Sequence, residues 1–237
     1  KKSISGPGVG NYITMAKSVA SVRAILGEDA MRRGGLVQAH GTGTPQNRVT
    51  ESEILSRTAE AFGIEGWPVA ALKSYLGHSL GAASGDQVTA TLGMWHHGLI
   101  PGINTINALA DDVRTDHLAF SAEHRRFDPK DAQYAVINSK GFGGNNATAT
   151  MLSPAATQQM LKQRYSDRDW QAWQLANEQV AQTQRDYDAG MSAGTVEPVY
   201  RFDHGVLHDK DVELNAKEVR LGDYAVSLEL ENPFADE

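Results

Sequence analysis

A chain of 237 residues that is 41% hydrophobic can bury a substantial core, and its net charge of -7 argues against nucleic acid as the main partner, because phosphate binding needs clustered Lys and Arg. No apolar run approaches the roughly 18 residues of a membrane span; no signal-peptide pattern opens the chain, and a cytoplasmic location is expected. The absence of cysteine removes disulfides, thiolate metal sites and the commonest acyl-carrying nucleophile.

In chain order, residues 1–9, with Lys1, Lys2, Gly6, Pro7 and Gly8, read as a loop. From Gly10 to Leu26 the apolar residues Ile13, Ala16, Val19, Ala20, Ala24 and Leu26 follow a helical period. A short apolar strand is predicted at 35–39. The run Gln38-Ala39-His40-Gly41-Thr42-Gly43-Thr44-Pro45 then breaks regular structure and leaves His40 on a loop at the strand's carboxyl end, where open α/β sheets bind ligands. Ile54, Leu55, Thr58, Ala59 and Phe62 predict an amphipathic helix from Val49 to Phe62, with Thr50 and Glu53 as a capping box. A strand at 69–72 leads into a loop over Lys73–His78. Ser79 then caps a helix that runs to about Trp95, whose small residues from Gly81 to Gly85 suit burial between layers. Residues 101–107 read as loop, and 117–121 and 133–138 as strands. The second of these forms a hairpin with 147–152 across Gly141, Gly143 and Gly144. At Pro154 the composition changes. One long polar helix over 155–189 places Trp170 and Trp173 on a single face, and Val219, Leu221, Tyr224, Val226, Leu228 and Leu230 suggest one or two terminal strands. Two domains are expected, 1–153 and an accessory tail, 154–237, that supports stability rather than chemistry.

Three apolar strands, each ending in a Gly-rich loop with a chemically capable side chain, predict one site built from three loops. Two histidines at strand ends, with Lys73 five residues before His78, suit neutral imidazoles that donate N–H to a developing enolate or oxyanion. A nearby ammonium favours that neutral state. Thr42 and Thr44 suit an amide-bearing substrate arm, and the glycines of the third loop let backbone N–H groups approach a substrate oxygen. A nucleophile is missing, because Ser74, Ser79 and Ser139 lack the setting of a hydrolase elbow. The pairs His96-His97 and His204/His208, with Asp203 and Asp209, read as solvated polar residues, so no metal and no cofactor is expected.

His40-Gly41-Thr42-Gly43-Thr44-Pro45, Lys73-Ser74 through Gly77-His78, and Gly141-Phe142-Gly143-Gly144-Asn145 resemble, in order and spacing, the three C-terminal motifs of the β-ketoacyl-acyl carrier protein synthases. The resemblance covers roughly residues 1–152. It implies an α/β, thiolase-like layered fold, in its C-terminal half a mixed sheet with buried helices, followed by a helix and strand appendage. It further implies that His40 and His78 promote malonyl decarboxylation and stabilise the enolate, and that Lys73 organises the pair. Glu51 matches the acid after the first motif. Phe142 would gate the acyl pocket and supply an oxyanion-hole N–H with the cysteine, with Gly141, Gly143 and Gly144 around it. In that family the cysteine lies in an N-terminal half, which the resemblance leaves to a missing segment or partner chain. The implied partners are acyl carrier protein, malonyl and acyl thioesters, and a second subunit in a homodimer. This chain departs from the pattern at Arg48 (often Asp), Lys140 (usually Phe) and Gln87 (often a Glu paired with the lysine, a role Asp86 or Glu51 would take here). Its Lys-Gly-Phe-Gly-Gly-Asn-Asn sequence and long tail resemble the diverged, longer bacterial synthases that start fatty acid chains. The alternative is a non-catalytic thiolase-like subunit that shapes a partner's pocket, which the lack of cysteine favours and the retained histidines and lysine disfavour.

Overall fold

The structure, a computed structural model, describes residues 9–141, 143–197, 199 and 201–232. Of the loop expected over 1–9, residues 1–8 lie outside the described residues and Val9 opens a helix instead. The chain divides into two compact units, Lys1–Trp170 and Gln171–Glu237.

The first unit is organised by a five-stranded sheet. Its strands β1 (Gly35–Gln38), β2 (Trp67–Ala70), β4 (Leu118–Ala119), β6 (Tyr134–Gly141) and β7 (Asn145–Leu152) run in the order β4-β2-β1-β6-β7. The first four are mutually parallel, in registers such as Val37↔Val69, Val37↔Val136 and Trp67↔Leu118, and β7 returns antiparallel to β6 as the expected hairpin. Apolar runs rather than alternation mark β1, β2 and β6 because both faces are covered, whereas β7 alternates. Val37, Val69, Tyr134 and Val136 pack with Met15, Val19, Ile54 and Leu55 from α1 (Val9–Leu26) and α3 (Pro45–Phe62), while Leu36, Ala70 and Ala135 pack with Met94 and Trp95 of α5 (Ala83–His97). Neighbouring residues point to opposite faces, so each strand feeds both cores. A six-residue α2 (Glu28–Arg33), which the sequence reading passed over, joins α1 to β1, and β3 (Leu99–Ile100) pairs with β5 (Arg125–Arg126).

Several expected boundaries move. Helix α3 starts at Pro45 rather than Val49, because proline fills the first helical position after an extended Thr44. The Thr50–Glu53 capping box therefore does not form: the Thr50 hydroxyl donates to the Gln46 carbonyl inside the helix, and Glu53 pairs with Arg114. Strand β2 begins at Trp67, whose side chain is buried, and the expected 73–78 loop opens as a one-turn helix, α4 (Lys73–Leu76). Ser79 does not cap the backbone of α5; its hydroxyl binds Asp86, and a short 3-10 turn precedes the helix. Helix α5 is not covered on both sides here: Ala83, Gln87, Thr91, Met94 and Trp95 are buried, while Val88 and Leu92, and Leu80 in the turn before it, face solvent.

The expected helix over 155–189 is two helices, α6 (Pro154–Arg164) and α7 (Asp167–Ala193). Each starts at a serine whose hydroxyl accepts a backbone N–H: Ser153 from Ala156, and Ser166 from Asp169. No residue of α7 is buried, and Trp173 is 40% exposed. The second unit ends in a three-stranded antiparallel meander, β8 (Val212–Leu214), β9 (Glu218–Leu221) and β10 (Tyr224–Ser227), one strand more than expected. Among the described residues no helix is long and apolar enough to cross a membrane.

Gly35 and Tyr134 are register partners, and the Tyr134 hydroxyl, fully buried, donates to the Met31 carbonyl at 2.6 Å. A Cβ on Gly35 falls inside the Tyr134 ring. Gly35→Ala is therefore expected to cost at least about 2 kcal/mol of unfolding free energy in urea. Gly85→Ala, where nothing lies within 4 Å of the added Cβ, should cost nothing or add about 0.5–1 kcal/mol through helix propensity.

Candidate active site

Because β1, β2 and β6 are parallel neighbours, their carboxyl ends share one edge of the sheet. That edge brings His40 (after β1), Lys73 (after β2), and Lys140 and Gly141 (ending β6) together, with His78 reached through the turn after α4. His40 is held from every side. Its N–H and that of Gly41 donate to Glu51 Oε1 and Oε2 at 2.7 and 2.9 Å; its carbonyl accepts from Lys73 Nζ at 2.6 Å; the preceding Ala39 carbonyl accepts from Gln87 Nε2 at 2.7 Å. Gly41 sits at φ +60°, against Ala71, where a side chain would be both strained and crowded.

The buried Glu51 carboxylate also accepts from Asn47 Nδ2 at 3.0 Å and Asn138 Nδ2 at 2.6 Å, so four donors meet it. Asn138 is itself fixed by Asn11 Nδ2, which donates to its Oδ1 at 3.0 Å. These two asparagines were missed by the sequence reading. Asn47, one helical turn before Glu51, had a detectable signal in its spacing; Asn138, at the end of an apolar run, had none.

The hydrogen bonds assign the imidazole tautomers. Nδ1 of His40 accepts the Lys140 N–H at 3.3 Å, and Nδ1 of His78 accepts the Leu80 N–H at 3.1 Å. Each neutral ring then carries its proton on Nε2. The rings stand edge to face with centroids 5.3 Å apart. Leu80, which supplies the second bond, is a non-glycine residue at φ +55°, strain of the kind that persists where surrounding structure fixes a functional loop. Burial pushes the His40 imidazole down to about 4, and Lys73, His78 and Lys140 act in the same sense against the opposing charge of Glu51. The Lys73 ammonium is lowered by burial, with Glu51 and Asp86 pulling the other way. Lys73 thus bonds the His40 backbone rather than either ring. Gln87, in the position expected to pair with it, props the backbone of the same loop instead.

His40, His78, Lys73, Thr42, Thr44 and Lys140 all line a cavity of about 670 Å³. Thr42 is half-buried and Thr44 exposed, their hydroxyls 3.4 Å apart. Gly141 borders the cavity, and Gly143 and Gly144 form the turn beyond it at φ +81° and +85°; Phe142 lies outside the described residues. On the other side of the Gly41–Gly43 loop, a cavity of about 360 Å³ is lined by Leu55, Val69, Ile103, Ile106 and Phe120. Its outer loop is tied to α3 by the two-pronged Arg48–Asp112 pair at 2.7 and 3.0 Å. Elsewhere His96 and His97 meet edge to face at the end of α5, and His208 Nε2 lies 3.4 Å from Asp203 Oδ1. Among the described residues no group of three or more His, Asp or Glu is placed to hold a metal ion. Two neutral N–H donors and a flanking lysine can stabilise negative charge that develops on a carbonyl oxygen.

Two outcomes are expected. Glu51→Gln replaces a four-donor acceptor with an amide whose own N–H groups oppose those donors. It should cost about 2–4 kcal/mol of stability by chemical denaturation and move the His40 titration further down, since the Glu51 charge raises it. For His40 itself, the folded value of about 4 lies below the ordinary 6.5, so as pH falls from 6.5 to 4 the unfolded chain takes up a proton that the folded chain does not. Stability is constant in this respect above pH 6.5 and declines below it, by up to about 3 kcal/mol. His40→Gln should remove that component from unfolding curves measured across the interval.

Residues 19–107 match the family model described as the β-ketoacyl synthase C-terminal domain. The chain is 46% identical over 228 residues to the β-ketoacyl-[acyl-carrier-protein] synthase FabY of Pseudomonas aeruginosa, an overlap of 96% of this chain and 36% of that protein. It is 35% identical over 116 residues to 3-oxoacyl-[acyl-carrier-protein] synthase 1 of Escherichia coli, covering 48% of this chain and 26% of that one. The crystal structure of the noncanonical ketosynthase FabY from P. aeruginosa superposes with a TM-score of 0.80 at 44% identity, over 100% of this chain and 37% of that chain. The chain spans about a quarter to a third of the length of these curated relatives. Family model, sequence identity and superposition agree: residues 19–107 carry a β-ketoacyl synthase C-terminal domain, and the chain is similar over nearly its whole length to a β-ketoacyl-[acyl-carrier-protein] synthase, on a thiolase-like fold.

Proposed function

We propose that this chain is the C-terminal half of a ketosynthase that joins an acyl thioester to malonyl-acyl carrier protein by decarboxylating Claisen condensation, with the nucleophilic cysteine supplied by an N-terminal segment. The observation that carries the reading is the histidine pair: both Nδ1 atoms are occupied by backbone N–H groups, and both Nε2–H groups remain as donors. As the malonyl C–C bond breaks, CO2 leaves and the electron pair passes through the α-carbon onto the thioester oxygen. Two N–H donors stabilise that oxygen without giving up a proton. The α-carbon then attacks the acyl thioester carbonyl, and the cysteine sulfur leaves as thiolate. An imidazole held at about 4 stays neutral throughout the physiological range, as this role demands.

In this reading Lys73 positions His40, Glu51 fixes the loop, Thr42 and Thr44 bind the pantetheine amides, and the Gly141–Gly144 turn with Phe142 closes the acyl side. Acyl carrier protein is the delivering partner, the intact enzyme is a cytoplasmic homodimer, residues 1–153 form its catalytic portion, and 154–237 an accessory tail. The FabY overlap runs through that tail while the E. coli overlap spans only 116 residues, which supports placement among the longer synthases that start chains.

With the cysteine-bearing segment co-expressed, condensation from malonyl-acyl carrier protein should fall about 10²–10⁴-fold in His40→Ala and in His78→Ala. Unchanged turnover in both would leave the non-catalytic, pocket-shaping subunit as the better reading.

A further inference from the structure

Lys140 takes the place where the family pattern has an aromatic ring, and nothing in the mechanism above uses its side chain. It closes β6, is only 6% exposed, and lines the same cavity as His40 and His78. Every other charged or ring group of that cavity is already engaged. Lys73 Nζ is spent on the His40 carbonyl, each histidine Nδ1 on a backbone N–H, and the neighbouring Glu51 carboxylate on its four donors. Lys140 Nζ meets no acceptor among the described residues, and Asn47 Oδ1, on the same cavity, meets no donor. A buried ammonium without an acceptor is costly, and the group that compensates best is a carboxylate. Burial lowers the Lys140 ammonium while the Glu51 charge opposes that, so an arriving anion would strengthen its protonated form.

We propose that Lys140 Nζ binds the carboxylate of the malonyl thioester while the thioester oxygen lies on the Nε2–H groups of His40 and His78; this rests on the condensing reading above. The two ends of the malonyl group differ in what the reaction does to them. Negative charge moves from the carboxylate to the thioester oxygen, and the carboxylate departs as neutral CO2. The histidine contacts therefore strengthen toward the transition state, and the Lys140 contact weakens. An interaction made in the ground state and lost in the transition state contributes to affinity and not to turnover.

The test compares wild type, Lys140→Met and Lys140→Gln in the enzyme assembled with its cysteine-bearing segment. Both variants should raise KM for malonyl-acyl carrier protein about 10- to 100-fold, hold kcat within about threefold or raise it, and leave KM for the uncharged acyl donor unchanged. Lys140→Arg should recover part of the lost affinity. An unchanged malonyl KM, equal changes for both donors, or a fall in kcat of the size expected for His40→Ala would overturn the proposal. So would failure of both variants to fold by circular dichroism, which would make Lys140 structural. If the wild type does not decarboxylate malonyl thioesters at all, the condensing reading is what fails. The subsite is then judged by titrating wild type and Lys140→Met with 13C-labelled malonate: a carboxylate shift confined to the wild type supports it, and no shift in the wild type overturns it.

Discussion

The site depends on one buried carboxylate. Glu51, on α3, is the point at which three elements meet: the loop after β1 through the His40 and Gly41 amides, its own helix through Asn47, and, 87 residues away, β6 through Asn138. An uncompensated carboxylate in this position would be strongly destabilising, and a fully hydrogen-bonded one fixes its donors instead. The loop that carries His40 contains glycine and threonine and has little conformational preference of its own. It adopts one backbone path because its N–H groups have one place to go, and Gln87 and Lys73 take its carbonyls.

The charges around this anchor decide the protonation state of the histidine. Lys73 and Lys140 flank His40, and both are themselves held down by burial. A proton on His40 would add a third cation beside one carboxylate in a region poor in water, and desolvation and like-charge repulsion together keep the ring neutral. The same arrangement leaves both imidazoles as N–H donors. Stability and chemical capability here have one source: the backbone bonds that hold the loop also select the tautomer that can stabilise an oxyanion.

Helix α5 shows the layered character of the fold. Its inner face packs Met94 and Trp95 against the sheet, and its outer face presents Val88 and Leu92, with Leu80 exposed in the turn that precedes it. A helix apolar around its circumference is built to be covered on both sides, and in the described chain one side is covered. That pattern accords with a chain that spans about a quarter to a third of its relatives' length.

Sequence alone determined that strands lie near 35–39, 69–72 and 133–138, that a hairpin crosses Gly141–Gly144, and that His40, Lys73 and His78 follow strand ends, though the strand limits shifted and residues 73–76 form a helical turn. These features follow from local rules: apolar runs bounded by glycine, and parallel neighbours that place their carboxyl ends together. It also flagged Glu51, Lys140 and Gln87. Three things were decided only by tertiary structure. Lys73 bonds the His40 backbone rather than its ring, because the spacing of β1 and β2 sets what Nζ can reach. Asn138 completes the set of donors to Glu51 from 87 residues away, a separation that no local window spans. The imidazole tautomers are set by N–H groups of Lys140, one hundred residues from His40, and of Leu80, whose strained φ of +55° no propensity predicts. Local pattern specifies which groups reach the sheet edge; direction, partner and protonation depend on distances between elements that only the packed fold supplies.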